Sequence, residues 1–155
     1  MNLCQHTDRP VYELLRQIWD QGFHRDAVII LYSDHAIRIG KILETESGFH
    51  ETRLPFLYIY LPDSLRLGSL NVAEEARRIL AQNARRLTSH MDIHATLLHL
   101  LRGIPPVDEK YGHSLFTPIP ANRTCYEAGI PDEYCLCTEM VPYDDDSAPA
   151  VTETL

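Results

Sequence analysis

Ser33-Asp34-His35 follows directly on the apolar run Ala27-Val28-Ile29-Ile30-Leu31-Tyr32. The run reads as a β-strand, and an aspartate and a histidine adjacent at its carboxyl end can aim a carboxylate and an imidazole at one point. That donor pair suits zinc, manganese or, less well, calcium. By spacing alone, a capping aspartate beside a solvated histidine is the commoner reading of the same dipeptide. A second group of reactive side chains lies late in the chain, where Cys125, Cys135 and Cys137 crowd a short segment and Cys4 stands far apart. Asn122-Arg123-Thr124 abuts Cys125 and has the N-glycosylation acceptor pattern. Together these features point to a lumenal or extracellular protein with disulfides. Free thiols in a cytosolic chain are the alternative. A zinc site is disfavoured because no CxxC pair or matching late histidine is present. Direct pairing of Cys135 with Cys137 would be strained at that spacing, so Cys125 is expected to bond one of them.

The elements that must position these groups are legible in the hydrophobic pattern. Val11, Leu14, Leu15, Ile18 and Trp19 have helical spacing within Arg9 to Phe23, with Asp8 before Arg9-Pro10 as a helix start. The uninterrupted run Ala27 to Tyr32 predicts a strand buried on both faces, as in a parallel sheet. Residues 36–53 are polar, contain Gly40 and Gly48, and read as a loop. Leu54 to Leu61 predicts a second strand adjacent to the first, stopped by Pro62-Asp63. Asn71 to Leu87 is amphipathic, with Val72, Ala76, Ile79, Leu80 and Leu87 on one face. Thr88-Ser89 caps a further helix from His90 to Leu101, ended by Gly103 and Pro105-Pro106. There is no internal repeat. Strands alternating with helices predict an α/β fold, a mostly parallel sheet flanked by helices. Such sheets place ligands at the carboxyl ends of strands, where Asp34 and His35 fall.

The chain has 155 residues, suited to one domain, and its 45% hydrophobic content is enough for a core. A net charge of −8 argues against nucleic acid and against an anionic membrane surface. No run approaches the roughly 18 apolar residues needed to span a bilayer. Met1 to Pro10 lacks the pattern of a signal peptide. An export signature without an export signal leads to the expectation of a fragment, or truncated gene product, whose signal lies upstream. Residues 1–143 are expected to form the folded part, with a cysteine-rich loop at 122–137, and the acidic stretch 144–155 a disordered tail.

The stretch VIILYSDHAIRIGK, a polar loop, ETRLPFLYIYLP, a helix and SHMDIHATLLHLL, followed by Gly112-His113-Ser114-Leu115, resembles the second half of the alkaline phosphatase superfamily, sulfatases and their relatives. The closest likeness is to a large animal family of sulfatase-like proteins of unknown function, in SDHG (SDHA here), RLPFLYI, DIHATL and the tail SLF-PIP-NRTC. It spans about Asp26 to Cys137.

The resemblance implies the carboxy-terminal part of a metal-dependent phosphoric or sulfuric ester hydrolase, with Asp34 and His35 as metal ligands and an anionic ester as substrate of the full-length enzyme. Lys41 resembles the loop lysine that contacts the substrate's anionic group. Arg53 resembles a structural arginine. His94 and His113 are the candidate third ligands, each with a plain alternative as a helix-start or solvated loop residue. His90 and His99 are expected at the surface or in caps. Two departures stand out. Ala36 replaces the family's glycine, and if that position needs positive φ the alanine costs about 1 kcal/mol. Nothing before Asp26 resembles the nucleophile or the first aspartate ligand, and Cys4-Gln5-His6-Thr7-Asp8 is not the Cys-X-Pro-X-Arg motif. The competing expectation is therefore a non-catalytic secreted binding or interaction domain, or an inactive gene fragment.

Overall fold

The computed structural model describes residues 3–36, 39–67, 70–107 and 110–137. Helix α1 (Leu3–Asp20) is followed by a 3-10 turn at Phe23–Arg25 and strand β1 (Ile29–Tyr32). A second 3-10 turn, Lys41–Glu44, and the short helix α2 (Glu46–Glu51) lead to β2 (Leu57–Tyr60). A small hairpin, β3 (Arg66–Leu67) with β4 (Leu70–Asn71), precedes α3 (Ala73–Asn83) and α4 (His90–Arg102), and a last 3-10 turn spans Asp132–Tyr134.

The two apolar runs are neighbours in one sheet, as their pattern predicts. Their direction differs from the parallel expectation: β1 and β2 pair antiparallel, Ile29 opposite Tyr60 and Tyr32 opposite Leu57. No parallel pair occurs among the described residues. Uninterrupted hydrophobicity was the ground for expecting burial on both faces, yet Ile29, Ile30 and Leu31 are half-buried and Tyr32 is exposed. The fold is a mixture of helix and strand with a small antiparallel sheet.

Three other boundaries move for local reasons. Residues 36–53 are not all loop: Thr45 caps α2 by accepting from the Gly48 N–H at 3.1 Å, while its hydroxyl donates to the Ile42 carbonyl at 2.6 Å. A helix of six residues is too short to display a periodicity. Helix α1 runs through Pro10 instead of starting there; the ring removes one backbone donor in mid-helix. Helix α3 begins at Ala73 because Leu70 and Asn71 are spent on the hairpin. It ends at Asn83, whose buried side chain bonds the Leu115 and Thr117 carbonyls at 2.9 Å and the Ile119 N–H at 3.0 Å.

Leu61, Leu65, Ala73, Ala76 and Phe116 form the centre of the core, with Val28, Ile59, Leu80 and Leu100 packed on it. The sheet thus meets α3 and α4 along one apolar layer. Gly103 ends α4 in the left-handed region at φ 75°, as its type allows. Gly112 is needed for a different reason. A Cβ there would lie 2.5 Å from the Met91 carbonyl oxygen, so only glycine lets the returning chain lie against α4. The tail 144–155 lies outside the described residues.

Candidate functional site

Ser33 is the residue that aims the Asp-His pair. Its N–H donates to the Phe56 carbonyl at 3.1 Å, extending the ladder past β1. Its hydroxyl accepts from the Phe56 N–H at 3.0 Å, and its carbonyl accepts from His90 Nε2 at 2.9 Å. The backbone leading into Asp34 is therefore held from both the neighbouring strand and α4.

Asp34 and His35 open onto a cleft of about 410 Å³. One wall is residues 33–35 with the approach to β2 (52–57). The second is the α3–α4 connection and the start of α4 (86–91 and Ile93), and the third is 129–131 with Tyr134. Asp34 Oδ2 lies 3.4 Å from His35 Nε2, and Asp34 Oδ1 accepts from the His35 backbone N–H at 2.7 Å. His35 Nδ1 sits 2.7 Å from the Ala36 carbonyl. A carbonyl only accepts, so Nδ1 carries a proton, and Nε2 is the ring nitrogen that faces the Asp34 carboxylate. This is the arrangement of metal-binding histidines, whose second nitrogen donates to a backbone carbonyl or carboxylate. The spacing also fits: two ligand atoms bound about 2.0–2.2 Å from one tetrahedral ion stand roughly 3.3–3.5 Å apart. The donor set therefore suits a divalent cation, to which it could offer two ligand atoms. Ala36 imposes no strain, because no non-glycine residue among those described has positive φ.

The other candidates are dispersed. Lys41 is exposed at the start of its 3-10 turn and does not line the cleft. His94 is exposed on α4 and lines neither this cleft nor the cavity of about 330 Å³ beside Tyr111, Asn122 and Tyr126, which His113 does line. The structure thus brings neither histidine to Asp34 and His35. Among the described residues, the cluster of three or more His, Cys, Asp or Glu ligand atoms is Cys125, Cys135 and Cys137. Two of those sulfurs are consumed: Cys125 and Cys135 form a disulfide with their Cα atoms 5.9 Å apart, as the spacing predicts for Cys125 and one of its neighbours. Cys137 is an exposed free thiol.

Arg53 is structural. Its Nε donates to the Glu133 carbonyl at 2.9 Å, one terminal nitrogen bonds the Phe49 carbonyl and the Thr52 hydroxyl, and the guanidinium lies 3.8 Å above the Phe49 ring. It thereby fastens the 129–134 wall of the cleft to α2.

Three features escaped the sequence reading. His90 is exposed at the start of α4, as expected, but it also lines the cleft and bonds Ser33; its place just after the cap Ser89 was the available signal. His99, also expected at the surface or in a cap, is buried. Its Nδ1 lies 2.8 Å from the Ser114 hydroxyl and its ring meets Phe116 edge-on, and burial lowers its pKa from 6.5. The third is a buried ion pair that does not line the cleft. Asp92 takes both terminal nitrogens of Arg123, at 2.8 and 2.9 Å, and the backbone N–H groups of Ser89 and His113, at 2.8 and 2.7 Å. Asp92, Thr96 and His99 recur at helical spacing on the buried face of α4, which is the pattern that could have revealed them.

No described helix is long and apolar enough to cross a membrane. No curated protein and no solved structure matches the chain. Residues 1–153 match the family described as "Protein of unknown function (DUF229)", and the chain, matched over nearly its whole length, belongs to that family.

Proposed function

We propose that this chain is the carboxy-terminal part of a sulfatase-like, metal-dependent hydrolase of phosphoric or sulfuric esters, and that Asp34 and His35 contribute two of its metal ligands. The observation that carries the reading is the Asp34 Oδ2–His35 Nε2 spacing of 3.4 Å at the mouth of a cleft, with His35 Nδ1 turned onto a carbonyl. When bound, a divalent cation would stabilise negative charge on a transferred phosphoryl or sulfuryl group. The chain's own part is to hold the carboxylate and imidazole on a backbone braced by Phe56 and His90. In the whole protein the sheet is of the mostly parallel, helix-flanked kind, and Lys41 approaches the anionic group of the substrate. His94 and His113 remain the named candidates for a third ligand, and either would need to move toward the cleft. Residence in the secretory pathway or outside the cell is supported by the Cys125–Cys135 bond, which an oxidising compartment permits.

A second reading, a non-catalytic secreted binding domain, is favoured by one observation. Two ligands fall short of the three that a catalytic zinc site typically has, and the described residues bring no further histidine, cysteine or carboxylate to the pair.

Calorimetric titration with zinc and with manganese separates the two. Weak binding is expected for this chain, lost in Asp34→Ala and in His35→Ala. Equal affinity in wild type and Asp34→Ala would remove Asp34 as a ligand. No turnover of aryl phosphate or aryl sulfate is expected from this chain alone; turnover abolished by His35→Ala would show that it is a complete enzyme.

A further inference from the structure

The three residues of the acceptor triplet have different fates in the fold. Asn122 is exposed. Arg123 is buried, its side chain 2% accessible, with the guanidinium on Asp92 and further bonds to the Leu87 and Tyr111 carbonyls. Thr124 is exposed but engaged by a neighbour: its hydroxyl donates to Glu127 Oε2 at 2.9 Å and accepts from the Glu127 N–H at 3.2 Å. The Thr124 N–H bonds the same carboxylate at 2.8 Å, and these contacts hold the Glu127 pKa below its ordinary value. The next residue, Cys125, is in the disulfide.

We propose that oligosaccharide transfer to Asn122 must precede the closure of Arg123 onto Asp92 and of Cys125 onto Cys135, so that folding of this segment shuts its own acceptor. The proposal rests on the secretory reading above. In the transfer, a bond forms between Asn122 Nδ2 and the anomeric carbon of a lipid-diphosphate oligosaccharide. The carbon–oxygen bond to the diphosphate breaks, the amide loses a proton to a base of the transferase, and the lipid diphosphate leaves. The transferase reads the asparagine carboxamide together with the threonine hydroxyl two residues on, on a peptide drawn out into its own groove. Drawing out 122–124 would pull Arg123 from the core, leave the fully buried Asp92 carboxylate without its partner, and break the Thr124–Glu127 contacts. Stripping one partner from a buried pair makes the open form rarer than the closed one by about 100-fold or more. A glycan already in place is compatible with the finished fold, because Asn122 is exposed.

The test is to direct the full chain into microsomes with an appended signal peptide and score Asn122 by mass shift and by sensitivity to peptide-N-glycosidase. Because the signal is supplied, the outcome does not depend on where the protein resides. Occupancy is expected to rise when dithiothreitol is present, in Cys125→Ser/Cys135→Ser and in Asp92→Asn. Oxidised, folded, unmodified chain offered afterwards to solubilised transferase should be modified at least about 100-fold more slowly than the same chain reduced and unfolded. Equal rates for folded and unfolded chain would overturn the proposal. So would an Asn122 that stays unmodified in the reduced chain, a result that leaves the hydrolase reading untouched.

Discussion

The segment from α4 to Cys135 and the segment from α1 to β2 are held together by different means. The first is fixed by side chains that reach far along the chain: Arg123 to Asp92, Ser114 to His99, Asn83 to the 115–119 backbone, and Cys125 to Cys135. The second relies on two four-residue strands and on ring contacts such as Trp19 stacked on His24 at 4.5 Å. Several of its aromatic residues stand in solvent, with Tyr58 68% and Phe56 47% exposed. A two-stranded sheet by itself is marginal in water. The Asp34–His35 pair sits on the lightly held side and is tied to the other by the bond from His90 to Ser33. A site at such a seam can be firm at its backbone while the strands beside it stay loosely covered.

The comparison is most sharply tested at Arg123. Arg123→Ala leaves Asp92 charged and buried, and the expected loss is about 3–5 kcal/mol of stability, read by urea denaturation. Joint replacement of the pair by apolar residues of similar volume should recover much of that loss. A single-mutant loss below about 1 kcal/mol would mean that the pair behaves as a surface bridge and that the two regions are equally held.

A smaller effect is expected from pH. Burial lowers the pKa of His99 from 6.5, so the unfolded chain takes up the proton first as pH falls. Stability from this group is therefore complete above pH 6.5 and declines below it, until the folded protein also protonates. The slope cannot exceed about 1.4 kcal/mol per pH unit, the limit for one proton. Denaturation midpoints between neutral pH and pH 5 should lose this slope in His99→Gln, which can still bond Ser114. An unchanged slope would assign the pH dependence to other groups.

The smallest effect belongs to the strands. Tyr58→Ser removes an exposed ring and should alter stability by no more than about 0.5 kcal/mol. A loss several times larger, measured on the same chain, would show that the outer face of the sheet is covered in solution and that the contrast between the regions is overstated.

The sequence by itself determined the types of the main elements, the neighbourhood of the two apolar runs, and the strand-end position of Asp34 and His35. It also narrowed the disulfide to Cys125 with one of two partners. Each of these is a local property, carried by periodicity, by capping residues such as Ser89 and Gly103, or by short spacing. Tertiary structure alone decided that β1 and β2 run antiparallel, because an apolar run carries no record of its partner's direction. It decided that His90 faces the cleft while His94, one helical turn further on, and His113 do not. It also decided that Arg123 finds Asp92 across 31 residues. Such choices depend on where the chain returns. Here the return is set by Gly112 lying against α4, and neither the helix pattern nor the loop composition encodes that contact.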